Sequence, residues 1–187
     1  GAGLRAILRH DPDVVMIGEI RDVETAHAAI QASLTGHLVL STLHTNDAAS
    51  APTRLIDMGV EPYLVSSTLI GSMAQRLVRK ICPKCRTSYQ HEPAKLPRDF
   101  TVGADEVLHR GEGCEHCRKT GFRGRLGLFE LMTLNDEIAE LILARASAPR
   151  LVTAGRKNGL RLLREDGWVK VRQGITTVDE VLTCTAL

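Results

Sequence analysis

Two short polar segments contain the residue types that can hydrolyse a phosphoanhydride. Glu19 and Arg21 follow an apolar run at residues 14–17, and His44 and Asn46 follow a second apolar run. A carboxylate can orient a water molecule or Mg²⁺, while donors and cations stabilise charge on a transferred phosphoryl group. We therefore interpret the two segments as parts of one nucleotide-hydrolysing site.

The two segments are expected to lie side by side. Residues 14–17 and 38–40 are short continuous apolar runs, which are typical of strands covered on both faces. Asp22 can cap a helix between them. A strand, a helix and a strand within about thirty residues form a crossover with parallel strands, and ligands bind at the carboxyl ends of such strands. Glu19 and His44 are therefore predicted to share one edge of a sheet.

The loop that cradles phosphates is missing from this sequence. No G-x-x-x-x-G-K-[ST] motif occurs in the 187 residues, and the glycines within 155–159 have a different spacing. The chain also opens on Gly1 rather than Met, partway into a predicted helix whose apolar face lies within residues 4–9. We expect these residues to be the later part of a longer protein whose P-loop precedes them. On that interpretation this chain alone binds nucleotide poorly and is inactive.

Composition narrows the function classes. Lys and Arg number 24 against 22 Asp and Glu, and aromatic residues make up 3% of the chain. These values disfavour a nucleic-acid-binding surface, which needs basic excess or aromatic stacking platforms. No apolar run reaches the roughly 18–20 residues of a membrane span. Four of the five cysteines stand in C-x-x-C pairs, which favours a metal in a reducing compartment, and the chain is predicted to be cytoplasmic.

The remaining patterns predict mostly helices. A helix is expected from about residue 47 or 50 to residue 58, with Ser50 favoured as its cap. Residues 65–81 are predicted to form one long amphipathic helix with a core stripe through Leu69, Met73, Leu77 and Ile81. Residues 125–133 alternate like a strand, and three further helices are predicted at 136–145, 161–173 and 178–182.

Composition changes at Cys82. Residues 82–125 are rich in Pro, Gly, Cys and charge and lack apolar periodicity, so we expect this segment to fold around something other than a core. The predicted organisation is an ATPase-type core at 1–81, a metal-binding subdomain at 82–125, and a C-terminal strand and helical region at 126–187.

Four cysteines have the spacing of a structural zinc site. They form the pattern C-x₂-C-x₂₈-C-x₂-C, with ligands Cys82, Cys85, Cys114 and Cys117. Four thiolates complete a closed tetrahedral site, and metal affinity then acts as folding energy for the polar segment between them. Two redox dithiols are the alternative, but neither pair opens a helix of a thioredoxin-like unit. The spacing therefore predicts structural Zn²⁺.

Basic residues flank both cysteine pairs: Arg79, Lys80, Lys84, Arg86, Arg118 and Lys119. A Zn²⁺ ion with four thiolates carries a net charge of about −2, which these residues can neutralise. The alternative is that they form a basic face that binds a partner protein or anionic lipid.

Several segments together resemble a known family. They are residues 3–13 (GLRAILRHDPD), 18–22 (GEIRD), 35–46 (TGHLVLSTLHTN), 74–79 (AQRLVR), the four cysteines, 124–130 (GRLGLFE) and 163–167 (LREDG). In this order they resemble the secretion ATPase superfamily, and more narrowly the assembly ATPases of bacterial type II secretion and type IV pili. The resemblance implies an α/β fold with part of a RecA-like parallel sheet, a small zinc-binding insertion and a C-terminal helical region.

The resemblance also implies residue roles. Glu19 matches the Walker B carboxylate that polarises the attacking water or holds a water on Mg²⁺, and His44 matches the His-box residue that faces the γ-phosphate of ATP. Arg5, Arg9 and Arg21 match basic residues that bind nucleotide or stabilise charge near a subunit boundary. Each residue also has a plain interpretation: Glu19 as a surface or capping acid, His44 as a turn residue, and the arginines as a solvated face.

The preferred function is therefore that of a hexameric ATPase that drives type II secretion by pseudopilus assembly. Residues 66–71 and the cysteine spacing favour this pathway over type IV pilus assembly, which is the alternative. The implied partners are further copies of the protein and inner-membrane platform proteins, which place it in the cytoplasm at the inner membrane. A non-catalytic zinc-ribbon binding module is the alternative from another class.

Overall fold

The computed structural model describes residues 10, 12–103 and 106–185, and within them the chain packs as two units. The first unit contains the described residues up to Ala74 together with Leu131–Leu160. The second contains Gln75–Glu130 and the described residues from Arg161 onward. The predicted three-segment organisation at 1–81, 82–125 and 126–187 remains a prediction.

A strand, a helix and a strand open the described part of the first unit. They are β1 (Val14–Ile17), α1 (Val23–Leu34) and β2 (Leu38–Ser41), and the two strands pair in parallel. The Asp22 side chain accepts a hydrogen bond from Thr25 N at 2.8 Å and so caps α1 as predicted. The sequence predicts this crossover because the two apolar runs, the Asp22 cap and the distances between them all indicate a strand, a helix and a strand.

The sheet formed by β1 and β2 is covered on one face only within the described residues. Val15 is 3% exposed and belongs to the core, whereas Val14 and Met16 on β1 are 53% and 72% exposed. Leu38 and Leu40 on β2 are 43% and 50% exposed. The expectation of strands covered on both faces is therefore wrong for this part of the chain.

Short helices form the rest of the first unit: α2 (Ser50–Asp57), α3 (Pro62–Thr68), α4 (Asp136–Leu143) and α5 (Ala148–Lys157). Val65, Ile138, Ile142 and Leu151 are at most 1% exposed and form its core. Ser50 is the first residue of α2 and not its cap, because the cap position is Ala49, which makes no side-chain cap bond; the Asp47 carboxylate accepts from Ser50 N at 2.7 Å just before the helix. Helix α4 lies where it was predicted, and α5 was not predicted.

The predicted long helix at 65–81 is wrong. The chain leaves α3 in an extended conformation at Leu69 and continues as β3 (Gly71–Ile81), which pairs with β6 (Phe122–Thr133). Met73 and Leu77 are 61% and 50% exposed, so the predicted stripe is not a core stripe. The strand predicted at 125–133 is confirmed within β6.

The second unit buries a core between the cysteine-containing segment and two helices. Strands β4 (Arg86–Gln90) and β5 (Val107–Gly111) pair antiparallel and pack near α6 (Leu163–Arg172) and α7 (Val178–Thr185). The core residues are Phe100, Leu108, Trp168, Val171 and Val181, each at most 3% exposed. The expectation that this segment folds without a core is therefore wrong, because the two helices, which were themselves predicted, supply three of these five core residues.

Helices long and apolar enough for a bilayer crossing do not occur in the described ranges.

Candidate active site and metal centre

The Glu19 carboxylate is shared by two side chains. Its Oε1 lies 2.5 Å from Arg21 Nη2, and its Oε2 lies 3.0 Å from His44 Nε2. Glu19 is 33% exposed, while Arg21 and His44 are 70% and 78% exposed. The predicted meeting of Glu19 and His44 at one sheet edge is confirmed.

The parallel pairing of β1 and β2 brings these side chains together. Val14 pairs with Leu38 and Ile17 with Ser41, so both strands end at the same level. The polar residues that follow each strand therefore project from one edge of the sheet. The crossover predicted from the sequence was sufficient to place both side chains at this edge.

Neighbouring donors keep Glu19 ionised. The hydrogen bond from Arg21 is the larger cause and the bond to His44 the second, and together they hold the pKa of Glu19 below its ordinary value. An ionised carboxylate at a sheet edge can accept a hydrogen bond from water and orient it for attack. The exposed Arg21 and His44 can donate to an anionic ligand placed at the same edge.

Thr42 is a site-edge residue that sequence reasoning missed. Its Oγ1 donates to the Gly18 carbonyl at 2.7 Å, and its carbonyl accepts from Ile20 N at 3.0 Å. The signal in the sequence was its position just after the second apolar run. Ser41, which precedes it, pairs with Ile17 at the end of β1. Arg5 and Arg9, the other predicted nucleotide-binding residues, lie outside the described residues.

The four cysteine sulfurs converge on one point. Those of Cys82, Cys85, Cys114 and Cys117 all lie within 4.8 Å of one another. Individual separations are 3.9 Å from Cys82 to Cys114, 3.8 Å from Cys85 to Cys117 and 3.7 Å from Cys114 to Cys117. Tetrahedral Zn–S bonds of about 2.3 Å place sulfurs about 3.8 Å apart, so the cluster fits a zinc ion.

Backbone donors favour negative charge on one of these sulfurs. Burial raises the pKa of Cys117, but the N–H groups of Cys114 and Gly121 donate to its Sγ at 3.2 and 3.3 Å and bring the pKa to about 6. Burial is the largest cause that raises the pKa of Cys85 to about 12, and hydrogen bonds with the other three cysteines add to it. A divalent cation would stabilise the thiolate form of the four sulfurs.

Two of the six basic residues beside the cysteines are engaged by acids. Arg79 Nη2 lies 2.6 Å from Glu180 Oε1, and Lys119 Nζ lies 2.8 Å from Glu115 Oε1. These two cations are therefore partly neutralised before any interaction with the cysteine cluster or with a partner.

Comparison with known proteins gives consistent matches. A family model described as Type II/IV secretion system protein matches residues 1–183. Type II secretion system protein E of Pseudomonas aeruginosa is 52% identical over 184 residues, which cover 98% of this chain and 36% of that protein. Type IV pilus assembly ATPase TfpB of Acinetobacter baylyi is 46% identical, over 99% of this chain and 32% of that protein. This chain thus spans about a third of the length of these relatives.

A solved structure shares the fold. The crystal structure of the pilus retraction motor PilT with bound ADP matches with a TM-score of 0.68 and 26% sequence identity. The match covers 100% of this chain and 43% of that chain. In this chain the shared fold is an α/β arrangement of small sheets and helices.

Proposed function

The chain belongs to the Type II/IV secretion system protein family, and we propose that it is part of a hexameric ATPase that powers type II protein secretion. The observation that carries the proposal is the carboxylate of Glu19 held between Arg21 and His44 at the ends of two parallel strands. Relatives named as secretion and pilus ATPases support the same activity.

Glu19 is the residue that acts on water. Its carboxylate is ionised and lies at the edge where parallel strands present ligands, so it orients the attacking water or holds a water of the metal. His44 and Arg21 donate to phosphate oxygens and stabilise the charge that develops there. MgATP, when bound, supplies the phosphoanhydride and part of the compensating charge. Arg5 and Arg9 belong to this proposal as nucleotide-binding residues, by resemblance.

The decisive experiment replaces Glu19 in the full-length protein that carries these residues. Glu19→Gln keeps the size of the side chain and removes its charge, so hydrolysis of ATP falls to background while nucleotide binding persists. Glu61→Gln, which alters another exposed acid of the same unit, leaves hydrolysis at the wild-type rate. If Glu19→Gln hydrolyses ATP at the wild-type rate, the proposed site is wrong.

The cysteine cluster holds a structural zinc ion in this proposal. All four positions are filled by protein sulfur, so no open position remains for water or substrate. The ion fixes the ends of the segment that contains β4 and β5, and that segment is a rigid part of a moving motor domain. Zinc content of one ion per chain, lost in Cys114→Ser, is the expected measurement.

Type II secretion is the preferred pathway, and the protein acts in the cytoplasm at the inner membrane with platform proteins as partners. The comparison identities, 52% and 46%, leave type IV pilus assembly as the alternative. The full-length gene is expected to restore exoprotein secretion, and not pilus assembly, in hosts that lack one or the other ATPase. Restoration of pili alone would assign it to the alternative.

Anionic lipid is a further proposed contact, through the basic residues beside the cysteines. Arg86→Gln with Lys119→Gln is expected to retain zinc and to weaken sedimentation with vesicles of anionic lipid. Unchanged sedimentation assigns these residues to neutralisation of the cluster. Salt-sensitive binding of the chain to DNA, with no hydrolysis in the full-length protein, would instead support a zinc-ribbon binding module.

A further inference from the structure

Thr42 binds the backbone on both sides of Glu19. Its hydroxyl donates to the carbonyl oxygen of Gly18 at 2.7 Å, and its own carbonyl accepts from the N–H of Ile20 at 3.0 Å. Neither bond involves the Glu19 side chain. We propose that Thr42 is a positioning residue that sets the direction of the Glu19 carboxylate for hydrolysis, an inference that rests on the proposed function.

Of the two backbone neighbours of Glu19, Gly18 is the one that packing leaves less restrained. Ile20 is 8% exposed and is fixed in the core, whereas Gly18 is exposed and has no side chain. A Cβ built at Gly18 meets no described atom within 4 Å, so packing does not fix this peptide. Glycine also has the greatest backbone freedom of any residue, so rotation at Gly18 would swing the Glu19 side chain.

The hydroxyl of Thr42 bonds to a carbonyl that lies beyond the regular strand pairing. Regular pairing of β1 with β2 ends at Ile17 and Ser41, one residue before Gly18. The bond from Ile20 N to the Thr42 carbonyl extends the ladder on the far side of Glu19. The side-chain bond to the Gly18 carbonyl restrains the near side, so a residue without a hydroxyl at this position gives Glu19 more freedom to turn.

The direction of Glu19 matters because its two oxygens have separate partners. Arg21 takes Oε1 and His44 takes Oε2, so a small rotation at Gly18 lengthens one contact or the other. A carboxylate that must present one oxygen to water loses rate with modest misplacement. Affinity for nucleotide depends on other contacts and is expected to stay the same.

The test compares variants of the full-length protein by steady-state ATP hydrolysis. Thr42→Val keeps the branched shape and strand preference but removes the hydroxyl, and Thr42→Ser keeps the hydroxyl. Thr42→Val is expected to lower kcat roughly 2- to 10-fold with KM unchanged, the range that loss of one hydrogen bond permits. Thr42→Ser is expected to restore most of the rate.

Thr183→Val is the matched control, because Thr183 is also exposed and its hydroxyl donates to a backbone carbonyl, that of Asp179 at 2.8 Å. It removes an equivalent bond on α7 and leaves kcat unchanged. Thr42→Ala, read against Thr42→Ser, gives the same comparison if Thr42→Val does not fold. A wild-type kcat in the hydroxyl-free variants, or a Thr42→Ser rate as low as theirs, overturns the inference.

Glu19→Gln measured in parallel separates this inference from the proposed function. Loss of hydrolysis in Glu19→Gln with full activity in Thr42→Val rejects only the role of Thr42. Full activity in Glu19→Gln rejects the proposed site itself, and with it the role of Thr42.

Discussion

Trp168 of α6 stacks on Phe100 with ring centroids 4.6 Å apart and an interplanar angle of 27°. Phe100 belongs to the segment between the two cysteine pairs, and Arg172 covers its ring at 5.1 Å. Trp168 Nε1 also donates to Asp99 Oδ2 at 3.3 Å. The single tryptophan of the chain therefore packs on the segment that joins the two cysteine pairs.

Metal removal is expected to alter the emission of Trp168. Withdrawing zinc with a chelator removes the link between the two cysteine pairs, so the loop that carries Phe100 loosens and Trp168 becomes more exposed. Its fluorescence then shifts to longer wavelength and returns when zinc is added back. The measurement is an emission spectrum beside a metal assay.

Cys184 offers the control for that experiment because it lies in α7, apart from the four clustered cysteines in sequence. Cys184→Ser is expected to keep its zinc and the wild-type emission spectrum. Cys85→Ser is expected to lose its zinc and to emit at longer wavelength. An unchanged spectrum after complete loss of zinc would mean that the apolar core alone holds the loop.

The Arg79–Glu180 pair gives a pH-dependent contribution to stability. Arg79 donates to Glu180 from Nε at 3.0 Å, from Nη2 at 2.6 Å and from its backbone N at 2.9 Å. The side-chain bonds are the largest cause that lowers the pKa of Glu180 in the folded chain, although burial opposes them. The contribution is therefore present above the ordinary glutamate pKa and is lost as the pH falls through the lowered value.

Glu180→Gln is expected to lower the free energy of unfolding by about 1–2 kcal/mol at pH 7, because Arg79 is half exposed and the pair is partly screened. Urea unfolding followed by Trp168 fluorescence measures this difference, which shrinks to near zero in acid. Glu112→Gln breaks the more exposed contact with Arg110 and is expected to cost less stability than Glu180→Gln. A Glu180→Gln difference that persists unchanged in acid contradicts the assignment.

Sequence reasoning located the candidate site because local signals agreed there. Two apolar runs, the Asp22 cap and a short crossover constrain the chain so strongly that Glu19 and His44 had to meet. The cysteine spacing was equally informative, since one ion can only be held if the two pairs converge.

Strand β3 was mistaken for a helix for a physical reason. Its buried residues Ala74, Val78 and Ile81 are spaced by four and three positions, which is also the spacing of a helix face. What decides the outcome is the hydrogen bonding to β6, some fifty residues later, which no local pattern reveals. Gly71 was the available warning, because glycine weakens a helix interior by about 1 kcal/mol.

Helix α5 escaped prediction because its apolar face is narrow. Only Leu151, Ala154 and Gly155 of its residues are buried, so few positions mark an apolar face. Pro149 near its start was the signal that could have found it, because proline is favoured in the first turn.

Gly167 of α6 is required by packing, against the general preference of helices for alanine. A Cβ at this position lies 2.5 Å from Val181 Cγ1 and 3.3 Å from Leu128 Cδ1, and both residues are fully buried. Gly167→Ala gains about 1 kcal/mol of helix propensity but forces α6 and α7 apart, and overpacking typically costs 1–3 kcal/mol, so the net effect is a loss of about 1 kcal/mol. Urea unfolding measures it.

Gly155 of α5 provides the comparison. Its added Cβ meets chiefly the end of the Leu160 side chain, at 2.8 Å from Cδ2, which can move. Gly155→Ala is therefore expected to lose less stability than Gly167→Ala. A Gly167→Ala chain more stable than wild type would contradict close packing of α6 on α7.

On the proposed function, Arg21 is expected to set the acid limit of ATP hydrolysis by the full-length protein. Its hydrogen bond is the largest cause that lowers the pKa of Glu19, so the carboxylate of the wild-type protein stays ionised to lower pH than an ordinary glutamate. Arg21→Gln removes that cause and raises the pKa, and Glu19 then takes up its proton at higher pH. Because only the ionised carboxylate orients water, the acid limb of kcat/KM against pH shifts to higher pH in Arg21→Gln.

Arg54→Gln, which alters another exposed arginine of the first unit, leaves the limb in place. The position of the limb is independent of the maximal rate, so a general loss of activity in Arg21→Gln does not obscure it. A limb that stays fixed or moves to lower pH would show that another group governs the acid limit.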